Sequence, residues 1–80
     1  MPRFYFDLHE SEKSFRDDVG HEVPDLEEAR TEAMKALPGI AFDKISKDGD
    51  RQSFVCLVTD EDGKRIYSAT LSYVGQWLLR

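Results

Sequence analysis

Phe54-Val55-Cys56-Leu57-Val58-Thr59-Asp60-Glu61-Asp62-Gly63-Lys64-Arg65-Ile66-Tyr67-Ser68-Ala69-Thr70-Leu71-Ser72-Tyr73 contains two alternating arms about one turn. Phe54, Cys56 and Val58 alternate with Val55, Leu57 and Thr59. In the second arm Tyr67, Ala69, Leu71 and Tyr73 alternate with Ser68, Thr70 and Ser72. A period of two sends successive side chains to opposite faces, so each arm reads as a strand with one face toward a core. Asp60-Glu61-Asp62-Gly63 is the turn, its glycine suited to the left-handed position of a bulged hairpin loop.

Upstream, the period changes from two to that of a helix. Asp25 is placed to cap it, with Glu28 three residues on as in a capping box, and Glu27 and Glu28 suit the positive end of the helix dipole. Leu26, Ala29, Ala33, Ala36, Leu37 and Ile40 fall in one stripe about 100° wide. Glu27 with Arg30 and Glu32 with Lys35 are i,i+3 pairs on the wet side. Pro38-Gly39 interrupts the pattern, and an internal proline costs about 3 kcal/mol and bends the helix. Ile40 nevertheless stays in phase, which predicts a kinked helix, or two helices meeting at Leu37, continuing through Phe42 and Ile45. Ser46-Lys47-Asp48-Gly49-Asp50 reads as a loop.

At the start of the chain Phe4, Phe6 and Leu8 alternate with Tyr5, Asp7 and His9, giving another strand. Glu10 to Ser14 is a polar connection, and Phe15-Arg16-Asp17 can return as a short strand. Asp18-Val19-Gly20 reads as a turn or bulge, and Val23 should be extended because Pro24 follows it. The expected fold is α+β with the order β-β-α-β-β, one domain over residues 1–80. It has a four-stranded antiparallel sheet, order 2-1-3-4, with one kinked or broken helix on one face. Its core should be Phe4, Phe6, Leu8, Leu26, Ala29, Ala33, Leu37, Ile40, Phe54, Cys56, Val58, Ala69 and Leu71.

Composition narrows the function classes. The 80 residues carry 11 Lys and Arg against 16 Asp and Glu, a net charge of −5. The bases are scattered, with Lys64-Arg65 the one adjacent pair, and Asp60-Glu61-Asp62 stands just before it. Phosphate neutralisation needs bases gathered on one face, so no nucleic-acid partner is expected and a basic protein partner suits the charge better; a nucleic-acid-binding domain stays as the lesser alternative, one that predicts salt-sensitive retention of RNA or DNA. One cysteine, Cys56, excludes a scaffold stapled by intramolecular disulfides. No apolar run approaches the ~18 residues of a membrane span, and no secretory leader pattern opens the chain. The expectation is a soluble cytoplasmic protein with no membrane partner.

Asp17, Asp18, His21 and Glu22 are the densest set of metal-ligand residue types, but an acidic turn gives the same letters without an ion. Asp60 to Gly63 lacks the EF-hand spacing, since Ala69 stands where the bidentate Glu would be. Cys56 lies mid-strand on the core face, where a thiol is an inert apolar filler rather than a nucleophile. Asp7 comes nearest to a carboxylate in an apolar stretch, and it alternates onto the solvent side. No phosphate-binding glycine loop, nucleophile elbow or zinc-protease motif is present. No catalytic activity, metal or cofactor is therefore expected. Tyr5, Val55 and Leu57 point away from the expected helix, and Trp77, Leu78 and Leu79 form an apolar tail. Those residues, Tyr5, Val55, Leu57, Trp77 and Leu78 above all, are the candidate contacts for a protein partner or for a second copy in a homodimer.

Three stretches carry a resemblance: Met1-Pro2-Arg3-Phe4-Tyr5-Phe6-Asp7, the run from Asp18 through Val23-Pro24-Asp25-Leu26 to Ala33, and Asp60-Glu61-Asp62-Gly63 through Tyr67 to Leu71. Together the chain resembles a family of short proteobacterial proteins, frequent in rhizobia and their relatives, known as a domain of unknown function. The resemblance implies a bacterial cytoplasmic protein and transfers no catalytic residue. Val23-Pro24-Asp25-Leu26 followed by Glu28-Ala29 is also similar to antitoxins of the HicB type, acidic partners of a small basic ribonuclease. That likeness implies a basic toxin as an alternative partner, although no C-terminal DNA-binding segment follows here.

Overall fold

A computed structural model describes residues 1–10 and 13–79; Ser11 and Glu12 of the expected polar connection lie outside them. The elements run β1 (Arg3–Glu10), β2 (Ser14–Phe15), β3 (His21–Glu22), α1 (Leu26–Asp48), β4 (Arg51–Thr59) and β5 (Arg65–Val74). The fold is α+β, with one helix against one antiparallel sheet. The sheet has five strands rather than four. Its path is β2-β1-β4-β5, and β3 is the addition, pairing with β1. The order thus departs from expectation at the outer edge of β1, which carries two short strands end to end.

The register explains both faces. Phe6 pairs with Val58 and Val58 with Tyr67; Leu8 pairs with Cys56 and Cys56 with Ala69. These rows look toward α1, which packs across β4 and β5. The intervening rows, Tyr5-Thr59-Arg65, Asp7-Leu57-Ser68 and His9-Val55-Thr70, form the opposite face, which no helix covers. A register shift between Val58 and Thr59 sets Thr59 opposite Arg65, and Ile66 turns to pack on the core.

Asp25 caps α1 as expected, extended at φ −161° and accepting the Glu28 N–H at 2.9 Å on its carboxylate. The helix then runs unbroken through Pro38 to Asp48, so the expected loop from Ser46 to Asp48 is helical. Gly49, at φ 106°, ends it, and the buried Gln52 side chain donates to the Gly49 carbonyl at 2.6 Å. Ala29, Ala33, Leu37 and Ala41 form the buried row. Spaced by four, they rotate about 40° per step around a helix of 3.6 residues per turn. That precession brings Ala41 into the core and leaves Ala36 outside it. Leu26, placed in the core by the sequence, is 61% exposed, because it sits in the first turn before the row meets the sheet. Val23 joins the core instead, its N–H donated to the Pro2 carbonyl at 3.1 Å. Phe4, Phe54, Cys56 and Val58 are buried as expected, while Phe6, Leu8, Ile40, Ala69 and Leu71 are partly buried against them. The small alanines let α1 lie close to the sheet.

The radius of gyration is 14.5 Å, against ~12 Å for a compact domain of this length. Among the described residues beyond β5, 75–79, there is no helix or strand, and Trp77, Leu78 and Leu79 are each about four-fifths exposed.

Candidate functional site

Between β2 and β3 the chain leaves the sheet edge and returns. Phe15 pairs with Leu8 and His21 with Phe4, so five residues lie opposite three. The Phe6 N–H between them has no strand backbone to meet. The Asp17 carboxylate takes its place, accepting from Phe6 at 3.1 Å. Its other oxygen accepts from Val19 at 3.1 Å and Gly20 at 2.9 Å. Burial pushes the Asp17 carboxyl up, but the N–H groups of Gly20, Phe6 and Val19, together with the charge of His21, outweigh it and hold the group below its ordinary value. Gly20, at φ 75°, is wedged beneath this turn. A Cβ there would stand 2.9 Å from the Phe4 carbonyl and 2.9 Å from Arg3 Cγ, so both backbone angle and space demand glycine. Arg3 clamps the same turn from the other side, donating to the Val19 carbonyl at 2.8 Å and pairing with Glu22 at 2.9 Å.

This bulge builds a wall beside the open sheet face. The β4–β5 turn builds another, with Asp60 accepting the N–H groups of Asp62 and Lys64, each at 2.9 Å, and Gly63 at φ 79° as the sequence predicted. A cleft of about 550 Å³ lies between them, within the range of small-ligand and side-chain sites. Tyr5, Leu57 and Thr59 line its floor, with Asp7, Arg16, Asp17, Asp18, Asp60, Glu61, Gly63 and Arg65 around them. Five carboxylates thus face two guanidiniums, three negative charges in excess. Asp7 is fixed by the Asp17 N–H at 2.9 Å. Among the described contacts Asp7 and Asp60 each commit one oxygen to backbone and hold the other uncommitted.

Of the residues expected to meet a partner, Tyr5 and Leu57 come together here, both half-buried. Val55 shares the face one row further along, beside His9 and Thr70, outside the cleft. Trp77 and Leu78 are not brought to it. They follow Val74, which pairs with Arg51 at the far end of β4 from Thr59, about 26 Å away at the usual rise per strand residue. Asp7, Arg16, Thr59 and Arg65 were not anticipated as a group. The alternation that places Asp7 beside Tyr5 was visible, but the bulge that swings Arg16 to Asp18 over this face was not.

Asp17, Asp18, His21 and Glu22 do not converge. Asp17 serves the bulge, Asp18 approaches Arg16 at 3.5 Å, the His21 ring nitrogen Nδ1 donates to the Gly20 carbonyl at 2.7 Å, and Glu22 holds Arg3. Among the described residues no group of three or more His, Cys, Asp or Glu has the geometry to hold a metal ion. Cys56 is 2% exposed; burial pushes its thiol up, and the charges of Asp7 and Asp17 add to this. A thiol held protonated is a poor nucleophile. No described helix is long and apolar enough to cross a membrane.

No curated protein and no solved structure matches the chain. One family model does, over residues 3–72, taking in α1, four whole strands and β5 to within two residues of its end, while the Trp77 tail falls outside. Since that span is most of the 80 residues, the chain belongs to the family described as a domain of unknown function, DUF6894.

Proposed function

We propose that this domain is a non-catalytic protein-interaction module whose open-face cleft takes a basic segment of a partner protein. The observation that carries it is the fixed set of carboxylates around an apolar floor. Asp7 and Asp60 are already held by backbone N–H groups, so a lysine or arginine entering the cleft meets acceptors that need no further ordering. Tyr5 and Leu57 supply surface for the aliphatic stem of such a side chain. A second copy of the same face would bring five carboxylates against five. Charge therefore favours a basic partner over self-association through this face. A basic toxin is one member of that partner class, and a bacterial cytoplasmic setting would suit it.

Backbone NMR of the whole chain, titrated with a short lysine- and arginine-containing peptide, tests the placement. Shifts should gather at Tyr5, Asp7, Leu57, Thr59 and Arg65. Shifts gathered at the Trp77 tail, or spread evenly over every acidic residue, would refute it.

A further inference from the structure

We infer that β5 pairs with β5 of a second copy, antiparallel about a two-fold axis at Thr70, joining two sheets edge to edge. β5 is the terminal strand of the sheet path, so one side of its backbone has no strand partner among the described residues. The parity of the ladder shows which groups those are. Phe6 donates outward to Asp17, so Tyr5 and Asp7 bond inward to β4. Following the register, Cys56 and Val58 bond to Ala69 and Tyr67. Ser68, Thr70 and Ser72 therefore present their N–H and C=O groups to the outside.

Edge strands that stay single are blunted by charge, proline or a bulge along their length. From Ile66 to Val74, β5 has no charged residue and no proline, and its register shift is confined to the end at Thr59. In a chain of net charge −5, this neutral edge is where two copies meet without repulsion. Full overlap of the strand also matches side chains. On the helix side Tyr67 stands opposite Tyr73 of the second copy and Ala69 opposite its Leu71. On the open side Thr70 meets Thr70 and Ser68 meets Ser72, all of them exposed. Aromatic pairs and hydroxyl pairs are favourable cross-strand neighbours. The ends are complementary in charge. Arg65 of one copy reaches Gly75 of the other, and the Asp50 carboxylate lies 3.0 Å from where a Gly75 Cβ would be. An isologous pairing of this kind closes on itself as a dimer. It shares only Arg65 with the lining of the acidic cleft, and Thr70, Ser68 and Ser72 lie outside that lining, so each surface can be tested without the other.

Two measurements on the full chain test it. Light scattering across a concentration series should show a dimer that Thr70→Lys, which sets two ammonium groups at the axis, converts to monomer with an unchanged circular dichroism spectrum. Under mild oxidation Thr70→Cys should form a disulfide-linked dimer at least ten-fold faster than Ser68→Cys, Ser72→Cys or the helix-surface control Lys35→Cys. A strictly monomeric wild type, a dimer untouched by Thr70→Lys, or cross-linking no faster at 70 than at the control would each overturn the pairing. Fastest cross-linking at 68 or 72 would overturn the register.

Discussion

Along the outer edge of β1 each outward backbone position finds a partner from the same chain, whereas along β5 the equivalent positions face away from the sheet. Leu8 meets Phe15, Phe6 meets the Asp17 carboxylate, Phe4 meets His21, and Pro2 meets Val23. The first edge is thus closed by two short strands and a side chain, at the expense of one left-handed glycine. The second edge is a long uncharged strand. The difference is one of completion: the closed edge carries the wall of a cleft, and the open edge keeps its outward backbone groups for the second copy proposed above.

Both edges hang on the same centre, and removing it should erase the contrast. Leu37 is 4% exposed beneath α1, and Leu37→Ala should cost about 2–5 kcal/mol. A chemical denaturation midpoint unchanged by that substitution would show the buried row to be misassigned. Gly20→Ala should act on one edge alone. A positive-φ site with a backbone oxygen at 2.9 Å costs about 1–3 kcal/mol to fill. Hydrogen exchange should quicken at Phe4 and Phe6 while the β4–β5 amides keep their protection.

Asp17→Asn should cost about 1–3 kcal/mol, because the amide cannot accept from Phe6, Val19 and Gly20 with both of its ends. The effect depends on pH in a definite direction. A carboxyl whose folded pKa is depressed stabilises above its unfolded value, ~3.9, and loses that contribution as pH falls through the lowered folded value. Wild type and variant should therefore differ most near neutrality and converge in acid. A constant difference down to pH 2 would show that charge plays no part in the bulge. The smallest change belongs to the open edge, where Ser72→Thr, at an exposed position, should alter the unfolding free energy of the monomer by less than about 0.5 kcal/mol in a denaturation titration.

The regular parts of the fold were legible because their periods are long. The seven-residue alternation from Tyr67 to Tyr73 and the capped helix at Asp25 announce themselves, and the turn at Gly63 follows from its residue types. β3 escaped notice because two residues, His21 and Glu22, carry no period at all. Leu26 was misplaced because helical phase tells which side a residue faces, but not where along the axis the sheet begins. The phase of Ile40 carries the helical pattern past Pro38, and the helix does continue to Asp48; pattern alone leaves open only whether the proline divides it, because that depends on the packing that Leu37 and Ala41 gain on either side. The cleft was half legible. Tyr5, Asp7 and Leu57 share a face by alternation, but Asp17 stands in for a strand, and only the folded chain shows that substitution.

The affinity of a fluorescent lysine- and arginine-containing peptide for wild type and for the Asp7→Asn, Asp60→Asn double variant tests the proposed role of the cleft. Asparagine keeps the oxygen that accepts the Asp17, Asp62 and Lys64 N–H groups, so the double variant should fold while two charges are lost. Binding should weaken at least ten-fold in the double variant and fall with added salt. Equal affinity in the two proteins, or no binding to wild type even at low salt, would contradict a basic segment as the ligand of this cleft.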